Sequence, residues 1–279
     1  MTDILLVASG GLANRMRSIA SVVALAKALN SPSPTIVWTC NNDLNARFSD
    51  IFCSMPEGVN LIEPSSIETL LKYEIPRKKN LFLSAIYQRL KFDLCIYEGI
   101  NLSSLVDDNN NILCDTLSSA KKIFIFTGAN FYEYPQKLYR TLFHFSDRVL
   151  ERAKEITGGR KQFYAGLHIR RTDNIESISN SPLYLFEQCI NNIIASDKEA
   201  EIFLATDDQS VKSHFHQLFP NNIIYNPNPA SRTTESGMID GAAEMYILSQ
   251  CDEIYGSYWS SYTEAAASID NKSLTILKK

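Results

Sequence analysis

Apolar positions in the second half of the chain alternate between short continuous runs and longer stretches with helical spacing. Short continuous apolar runs are typical of strands that are covered on both faces. The predicted strands cover residues 163–169, 201–206, 222–225, 253–257 and 273–277. The helices predicted between them cover 183–196, a stretch from Asp207 or Asp208 to 218, 238–250 and 261–269. This alternation predicts a parallel, doubly wound α/β sheet.

The first half opens with the same arrangement but becomes weaker in the middle. The apolar run "ILLVA" is followed by Gly10 and Gly11, and then by a helical pattern that is apolar on nearly every side, which predicts a buried helix. Strands are predicted over 4–8, 34–39, "NLFLS" (80–84), "FDLCIY" (92–97) and part of 121–132, with helices over 14–29 and 134–156.

Gly158 and Gly159 mark the strongest interruption in the pattern and are the predicted domain boundary. The prediction is therefore two Rossmann-like, doubly wound α/β domains, 1–158 and 159–279, that face each other across a cleft.

Composition narrows the class of protein. The 279 residues are 45% hydrophobic and 21% charged, as in ordinary globular proteins. The net charge of −4 argues against a nucleic-acid surface, so an anionic ligand would need a local basic cluster. The chain begins without the pattern of a signal peptide, and no run reaches the roughly 20 apolar residues of a membrane span, which predicts a cytoplasmic protein without a transmembrane segment. The six cysteines form no C-x-x-C pair and are interpreted as buried thiols.

Polar groups follow four of the predicted strands. They are Gly10 to Arg15, His168 to Asp173, Thr206 to Asp208, and Gly256 to Ser261. In open α/β sheets, ligands bind beyond the carboxyl ends of the strands. These four groups are therefore the candidate functional residues.

Arg170 and Arg171 are the strongest candidates for binding an anionic ligand. A guanidinium is planar, permanently charged and matched to phosphate. Because adjacent strand residues point to opposite faces, only one of the two can face a ligand, and we expect Arg170 to do so. Arg171 is then expected to form a structural pair, for example with Asp173 or Asp207. The alternative is that both arginines only anchor loops.

The remaining groups each allow a structural and a functional interpretation. Gly10 and Gly11 permit either a tight turn or close approach of a phosphate to a helix N-terminus. Ser260 and Ser261 either cap a helix or present hydroxyls and amides to a phosphate. Asp207 and Asp208 either cap a helix or accept hydrogen bonds from a guanine.

The sequence lacks the patterns of metal-dependent and nucleophilic catalysis. No D-x-D triplet occurs, so no metal is expected, and a diphosphate leaving group would be neutralised by arginine and helix dipoles. The G-x-S-x-G turn that would position a nucleophilic serine does not occur in the sequence.

"HIRRTD" (168–173) resembles the hallmark of the α1,6-fucosyltransferases, including the nodulation enzymes, and of the related protein O-fucosyltransferases. The resemblance extends to "GGLANR", "LNARFSDIF", "FLATDD" and "GSYWSSYTEAA", in the order of that family along the whole chain. It implies an inverting GT-B enzyme that transfers fucose from GDP-fucose to a carbohydrate acceptor without a metal or other cofactor.

The resemblance also implies roles for individual residues. Arg170 would bind the β-phosphate, and His168 with Asp207 or Asp208 would contact guanine and ribose. The diphosphate would lie against a larger group: Gly11, Leu12, Ala13, Asn14, Ser260 and Ser261. Glu176 and Asp173 are the candidate general bases.

Two departures from the family pattern limit what the resemblance implies. Ala13 stands where a glycine is usual, and Asn174 where the α1,6 enzymes have lysine. The GDP-sugar donor is thus better supported than the acceptor, for which a bacterial glycan or lipid-linked saccharide is expected. The alternatives are a non-catalytic GT-B-like protein that binds a nucleotide or glycan, and a Rossmann-like enzyme with another anionic ligand.

Overall fold

Two parallel sheets organise the chain in the computed structural model, which describes residues 2–31, 33–109, 111–117, 119–160 and 163–279. Over these residues, each sheet has five strands. The chain divides into two compact units, one built from residues up to 49 and 54–144, the other from 50–53 and 145–279. This confirms the prediction of two doubly wound α/β units.

The first unit has the strand order β3-β2-β1-β5-β4. Its strands are β1 (Asp3–Ala8), β2 (Thr35–Trp38), β3 (Asn60–Ile62), β4 (Leu94–Tyr97) and β5 (Lys122–Thr127). Its helices are α1 (Leu12–Ala28), α2 (Phe48–Ile51, which crosses the unit boundary), α3 (Ser66–Glu68), α4 (Leu83–Lys91), α5 (Cys114–Leu117) and α6 (Leu138–Leu142). A π-helical turn (Thr69–Tyr73) and two 3₁₀ turns (Lys78–Asn80, Leu102–Ser104) complete it.

The second unit has the order β10-β9-β6-β7-β8. Its strands are β6 (Ala165–Ile169), β7 (Ile202–Thr206), β8 (Ile223–Tyr225), β9 (Glu253–Ser257) and β10 (Ser273–Leu277). Its helices are α7 (Asp147–Thr157), α8 (Ile175–Asn180), α9 (Leu183–Ser196), α10 (Gln209–Leu218), α11 (Glu235–Gln250) and α12 (Ser261–Ile269). Because β6 and β7 are buried along their whole length, their sequences are mostly apolar, with His168 and Thr206 as the buried polar residues near their ends.

Two predicted elements were wrong. "NLFLS" is not a strand, because Leu81 and Phe82 adopt left-handed backbone angles (φ 52° and 54°) between a 3₁₀ turn and α4. The side chain of Asn80 closes this turn by accepting from the Arg77 N–H and donating to the carbonyl of Ile75. The helix predicted over 134–156 is two helices, α6 and α7, because Ser146 caps a new helix start.

The units divide near residue 144 rather than at Gly158–Gly159. Helix α7 precedes these glycines in the chain but packs along α11, and it therefore belongs to the second unit. The interpretation of the cysteines as buried thiols holds for Cys189 and Cys251, whereas Cys40 and Cys53 are exposed. None of the helices over the described residues is long and apolar enough to cross a membrane.

Candidate functional site

Polar side chains collect where β6 and β9 end, next to each other in the second sheet. Strand β6 has β7 on one side and β9 on the other. The chain turns toward opposite edges of the sheet from these two positions, so this is the topological switch point at which open α/β sheets bind ligands. The strand ends bring together three of the four polar groups that the sequence singled out.

Arg170 follows β6 and is held by two carboxylates. Its Nη1 lies 2.8 Å from Asp207 Oδ2, its Nη2 donates to Asp173 Oδ1, and its backbone N–H donates to Ser257 Oγ at 3.0 Å. The side chain is 17% exposed, whereas that of Asp173 is 53% exposed. Arg170 is thus fixed at the strand end, with one shielded acidic partner and one that faces solvent.

Arg232, which the sequence analysis missed, also reaches this cluster. Its Nη1 lies 3.2 Å from Asp173 Oδ2, so a single carboxylate joins two guanidiniums. Arg232 lies in the loop that follows β8. The rule that identified the other strand-end residues could have found it, because it applies equally to the loop after this strand.

Asp207 organises the loop after β6. Its Oδ1 accepts from the Arg171 N–H at 2.8 Å, and its Oδ2 accepts from the Thr172 hydroxyl at 2.8 Å. The Arg171 guanidinium is buried and donates to the carbonyls of Arg170 and Ser181. The two arginines therefore differ, one pairing with acids at the strand end and the other bracing the backbone. Arg171 uses its backbone N–H, rather than its side chain, to contact Asp207.

Asp208 caps α10. Its Oδ1 accepts from the backbone N–H of Ser210 at 2.8 Å and from that residue's hydroxyl at 2.6 Å. These hydrogen bonds, with the Ser210 hydroxyl as the largest cause, lower the pKa of Asp208. The geometry gives this residue the helix-capping role that the sequence left open beside nucleotide binding.

His168 is buried under α12. Its Nδ1 lies 2.7 Å from Thr263 Oγ1 and 3.3 Å from Ser260 Oγ, and its ring lies against Tyr262 with centroids 4.6 Å apart. Its pKa is lowered from 6.5 to about 3, mainly by burial; Asp207 opposes this shift and Arg170 adds to it. The imidazole is therefore neutral at physiological pH.

This burial predicts a pH-dependent contribution to stability. Below pH 6.5 the unfolded chain protonates His168 while the folded chain does not until about pH 3, so the free energy of unfolding falls as pH decreases through this window. The slope approaches about 1.4 kcal/mol per pH unit. His168→Gln should lack this component, which urea unfolding of both proteins between pH 4.5 and 8 measures. If the free energy of unfolding depends on pH identically in the two proteins, the prediction is wrong. Glu244, whose pKa is raised by burial to about 7, makes the opposite contribution to the pH dependence, but it is present in both proteins and does not affect their difference.

Helix α12 begins beside His168 without a side-chain cap. Ser260 is the N-cap residue, but its hydroxyl contacts His168 rather than the first turn of the helix. Uncapped N–H groups at a helix start, together with the helix dipole, favour an anion. Ser261 is the first residue of this helix, so both predicted serines lie at its start.

Gly256 allows α12 to approach β9 closely. A Cβ atom at this position would lie 2.4 Å from Thr263 Cγ2 and 2.8 Å from Thr263 Oγ1. Thr263, which the sequence analysis did not select, is thereby brought to His168. The position of α12 over the strand end depends on this glycine.

A second loop connection fixes the exposed end of the site. Asn174 caps α8 and donates from its amide to the carbonyl of Trp259, while Ser177 donates to the carbonyl of Tyr258. Glu176 is exposed in the first turn of α8, where its Oε2 accepts from Asn180 at 3.2 Å. The two candidate bases therefore differ, because Asp173 is engaged by two arginines and Glu176 by one amide.

The β1–α1 turn, which carries the fourth polar group, lies in the first unit. Gly10 has φ 77°, and Leu12 and Ala13 are buried at the start of α1, where Gly11 offers no side-chain cap. Arg15, another residue of "GGLANR", is buried and donates to the carbonyls of Gly10 and Thr39. Asn14 also lies in the first turn of α1. Burial lowers the pKa of Arg15 to about 10, which leaves it charged as a brace for the turn.

Within the described residues, no group of three or more His, Cys, Asp or Glu side chains is placed to hold a metal ion. The cationic groups of the described strand end are guanidiniums, and the start of α12 adds the partial positive charge of a helix dipole.

Comparison with known proteins yields similarity of structure rather than of sequence. No protein-family model and no curated protein matches the chain. A variant of Arabidopsis thaliana FUT1 in complex with GDP is 14% identical and covers 99% of this chain and 71% of its own, with a TM-score of 0.63. The NodZ α-1,6-fucosyltransferase soaked with GDP-fucose is 16% identical, with coverage of 96% and 93% and a TM-score of 0.60. POFUT1 in complex with GDP-fucose is 13% identical, with 99% of each chain covered and a TM-score of 0.56.

These likenesses confirm the predicted fold class. The chain shares the fold of these solved fucosyltransferase structures over almost its entire length. Fold alone does not define an activity, since function depends on the residues of the site.

Proposed function

We propose that the protein is an inverting, metal-independent glycosyltransferase that transfers fucose from GDP-fucose to a carbohydrate acceptor. The observation that carries the proposal is Arg170, held by Asp207 at the end of β6 beside the uncapped start of α12. A fixed guanidinium and the positive end of a helix dipole are the chemistry that a diphosphate requires in the absence of a cation.

Arg170 and Asp173 define how the diphosphate would enter. Asp207 is largely shielded, whereas Asp173 faces solvent, so the second is the partner that a phosphate oxygen can displace. Asp207 then keeps the guanidinium in position while its other edge binds the β-phosphate. Arg232 retains the displaced Asp173, which limits the loss of ion pairing on exchange.

The transfer itself is an in-line displacement. An acceptor hydroxyl attacks the anomeric carbon, the bond from that carbon to the β-phosphate oxygen breaks, and GDP leaves with the electron pair. Arg170 and the first N–H groups of α12 stabilise the charge that develops on the leaving group. One well-placed donor of this kind contributes about 3 kcal/mol to transition-state stabilisation.

The proton of the attacking hydroxyl requires a base, and Glu176 fits this role better than Asp173. Both oxygens of Asp173 contact arginines, whereas Glu176 is exposed with a single amide contact. We assign Asp173 to positioning Arg170 and keep Glu176 as the candidate base.

The state of the two candidate bases favours a second candidate function. Because both oxygens of Asp173 contact arginines and Glu176 is exposed with a single amide contact, neither is held as a ready base, and the site also suits a non-catalytic protein that binds a nucleotide without transfer. Hydrolysis of GDP-fucose separates the two functions. Slow release of GDP and fucose supports the transferase, and its absence with a range of glycan acceptors supports the binder.

Nucleotide selectivity provides the first test. GDP and GDP-fucose should raise the melting temperature, while UDP and NAD should not. A ligand present at a hundred times its Kd stabilises the native state by about 2.7 kcal/mol, which differential scanning fluorimetry resolves. Equal shifts with all four compounds would refute the assignment to a guanine nucleotide.

The motif resemblance also supports proposals for individual nucleotide contacts, for the roles of the two units, for the acceptor and for the location of the protein. We propose His168 and one of Asp207 and Asp208 as guanine and ribose contacts, and the β1–α1 turn, residues 10–14, as a phosphate-binding turn. The second unit is the proposed nucleotide-sugar domain, and the first is the proposed acceptor domain. We further propose a bacterial glycan or lipid-linked saccharide as the acceptor and a cytoplasmic location.

A further inference from the structure

Helix α4 in the first unit turns an apolar stripe toward solvent. Phe82, Ile86 and Leu90 follow one another at four-residue spacing, and the last two are 66% and 80% exposed. The opposite side of the helix is polar. Gln88 is buried and donates to the carbonyls of Lys72 and Glu74, both at 2.9 Å. This polarity is the reverse of that of an ordinary surface helix, which buries its apolar face.

The preceding helical segment repeats the pattern. Ile67, Leu70 and Leu71 are all exposed, at the i, i+3 and i+4 positions of one helix face. This segment, α3 with its π-helical turn, packs against α4 through the rings of Tyr73 and Tyr87, whose centroids are 6.1 Å apart. Residues 65–92 thus form a helical hairpin, and both of its helices carry exposed apolar side chains.

The turn of the hairpin holds one more apolar side chain, that of Leu81, outward beside Phe82. Leu81 and Phe82 are consecutive residues with left-handed backbone angles, a conformation that strongly favours glycine. Leu81 is nevertheless 77% exposed. A turn made only for chain reversal would use glycine or asparagine here, so the side chains themselves point to an apolar environment outside the protein.

Basic residues surround these apolar groups. Arg77, Lys78 and Lys79 are exposed in the turn, and Arg89 and Lys91 are exposed on α4. Residues 65–92 contain six basic and two acidic residues, in a chain with a net charge of −4. One of the two acids, Glu68, is already paired with Lys72 at 3.1 Å. The hairpin is therefore a local positive surface on an acidic protein.

We propose that the hairpin 65–92 docks onto the surface of an anionic lipid bilayer. Phe82, Ile86 and Leu90 would enter the region below the headgroups, while Lys78 and Lys79 contact lipid phosphates. An anionic bilayer offers both layers that this surface needs, apolar chains and a plane of negative charge. A second copy of the chain would bring two positive surfaces together, which disfavours self-association. The proposal does not depend on the nucleotide site.

Vesicle co-sedimentation of the full chain tests the proposal. The protein should bind vesicles that contain phosphatidylglycerol, and bind those of phosphatidylcholine alone at least about tenfold more weakly. Lys78→Glu/Lys79→Glu and Phe82→Ser/Ile86→Ser/Leu90→Ser should each reduce binding to anionic vesicles by at least about tenfold. Both variants should have the melting temperature of the wild type, because the side chains they replace are exposed. If the apolar variant unfolds, vesicle binding by the lysine variant still tests the proposal.

A matched control makes the same kinds of change elsewhere. Leu218→Ser/Lys198→Glu alters one exposed apolar and one exposed basic residue of the second unit and should leave vesicle binding unchanged. Equal binding by wild type and both hairpin variants would overturn the proposal, as would equal binding to neutral vesicles. A dimer in solution that the apolar variant dissociates would show instead that a second copy covers this surface.

Discussion

Arg170→Ala is expected to abolish stabilisation by GDP and to lower the rate of fucose transfer or GDP-fucose hydrolysis by about 10²–10³-fold. The loss follows from removal of the guanidinium that would neutralise the leaving diphosphate. The fold should survive, because Asp207 keeps its hydrogen bonds to the Arg171 N–H and the Thr172 hydroxyl. Thermal shift with GDP and initial-rate kinetics measure the two effects.

Two further arginine variants sharpen this test. Arg170→Lys keeps the charge but not the planar fork, so it should recover only part of the GDP response. Arg160→Ala removes an exposed arginine paired with Glu201 at 2.7 Å, before the amino end of β6, and should leave the response intact. If Arg170→Ala still responds to GDP like the wild type, the nucleotide does not bind at this strand end. If it unfolds, Arg170 is structural.

Gly256→Ala is expected to lower the free energy of unfolding by about 1–3 kcal/mol. A methyl group there would lie 2.4 Å from Thr263 Cγ2, and it can be accommodated only if α12 moves away from β9. That movement would also withdraw Thr263 and Ser260 from His168, so the response to GDP should weaken together with stability. Chemical unfolding and GDP thermal shift of the same variant report both losses.

Gly241→Ala is the matched control for this substitution. A Cβ atom at Gly241 in α11 meets no atom within 4 Å, and alanine is the better helix former. This variant should therefore be stabilised by about 0.5–1 kcal/mol. Thr263→Ala in the Gly256→Ala background removes two of the three clashing atoms and should recover part of the lost stability. Equal stability of Gly256→Ala and wild type would refute the close approach of α12.

Local periodicity predicted most of the second unit correctly. Helices over 183–196 and 261–269 lie at their predicted bounds, and each predicted strand of this half is present. The reason is that strands covered on both faces and helices with one buried face each leave a pattern within a few residues. The errors fall where a contact that is distant in sequence or a strained turn decides the structure, as at Leu81, Phe82 and Ser146.

The candidate site was predicted in outline but not in its contacts. The strand-end rule selects Arg170, His168 and Asp207 from the sequence alone. It did not reveal that Asp207 braces Arg170, that Asp208 caps a helix or that Arg232 joins through Asp173. Thr263 and His168 are separated by 95 positions, and no local pattern records such a pair.

The sequence by itself determined two α/β units, their order along the chain and the strand ends that carry the polar residues, because burial and backbone turns impose short-range patterns. Only the tertiary structure decided which acid holds which arginine, how closely α12 approaches β9, and that α4 turns its apolar side outward. Those outcomes depend on side-chain direction and on partners brought together from distant parts of the chain. Spacing along the sequence does not specify either of them.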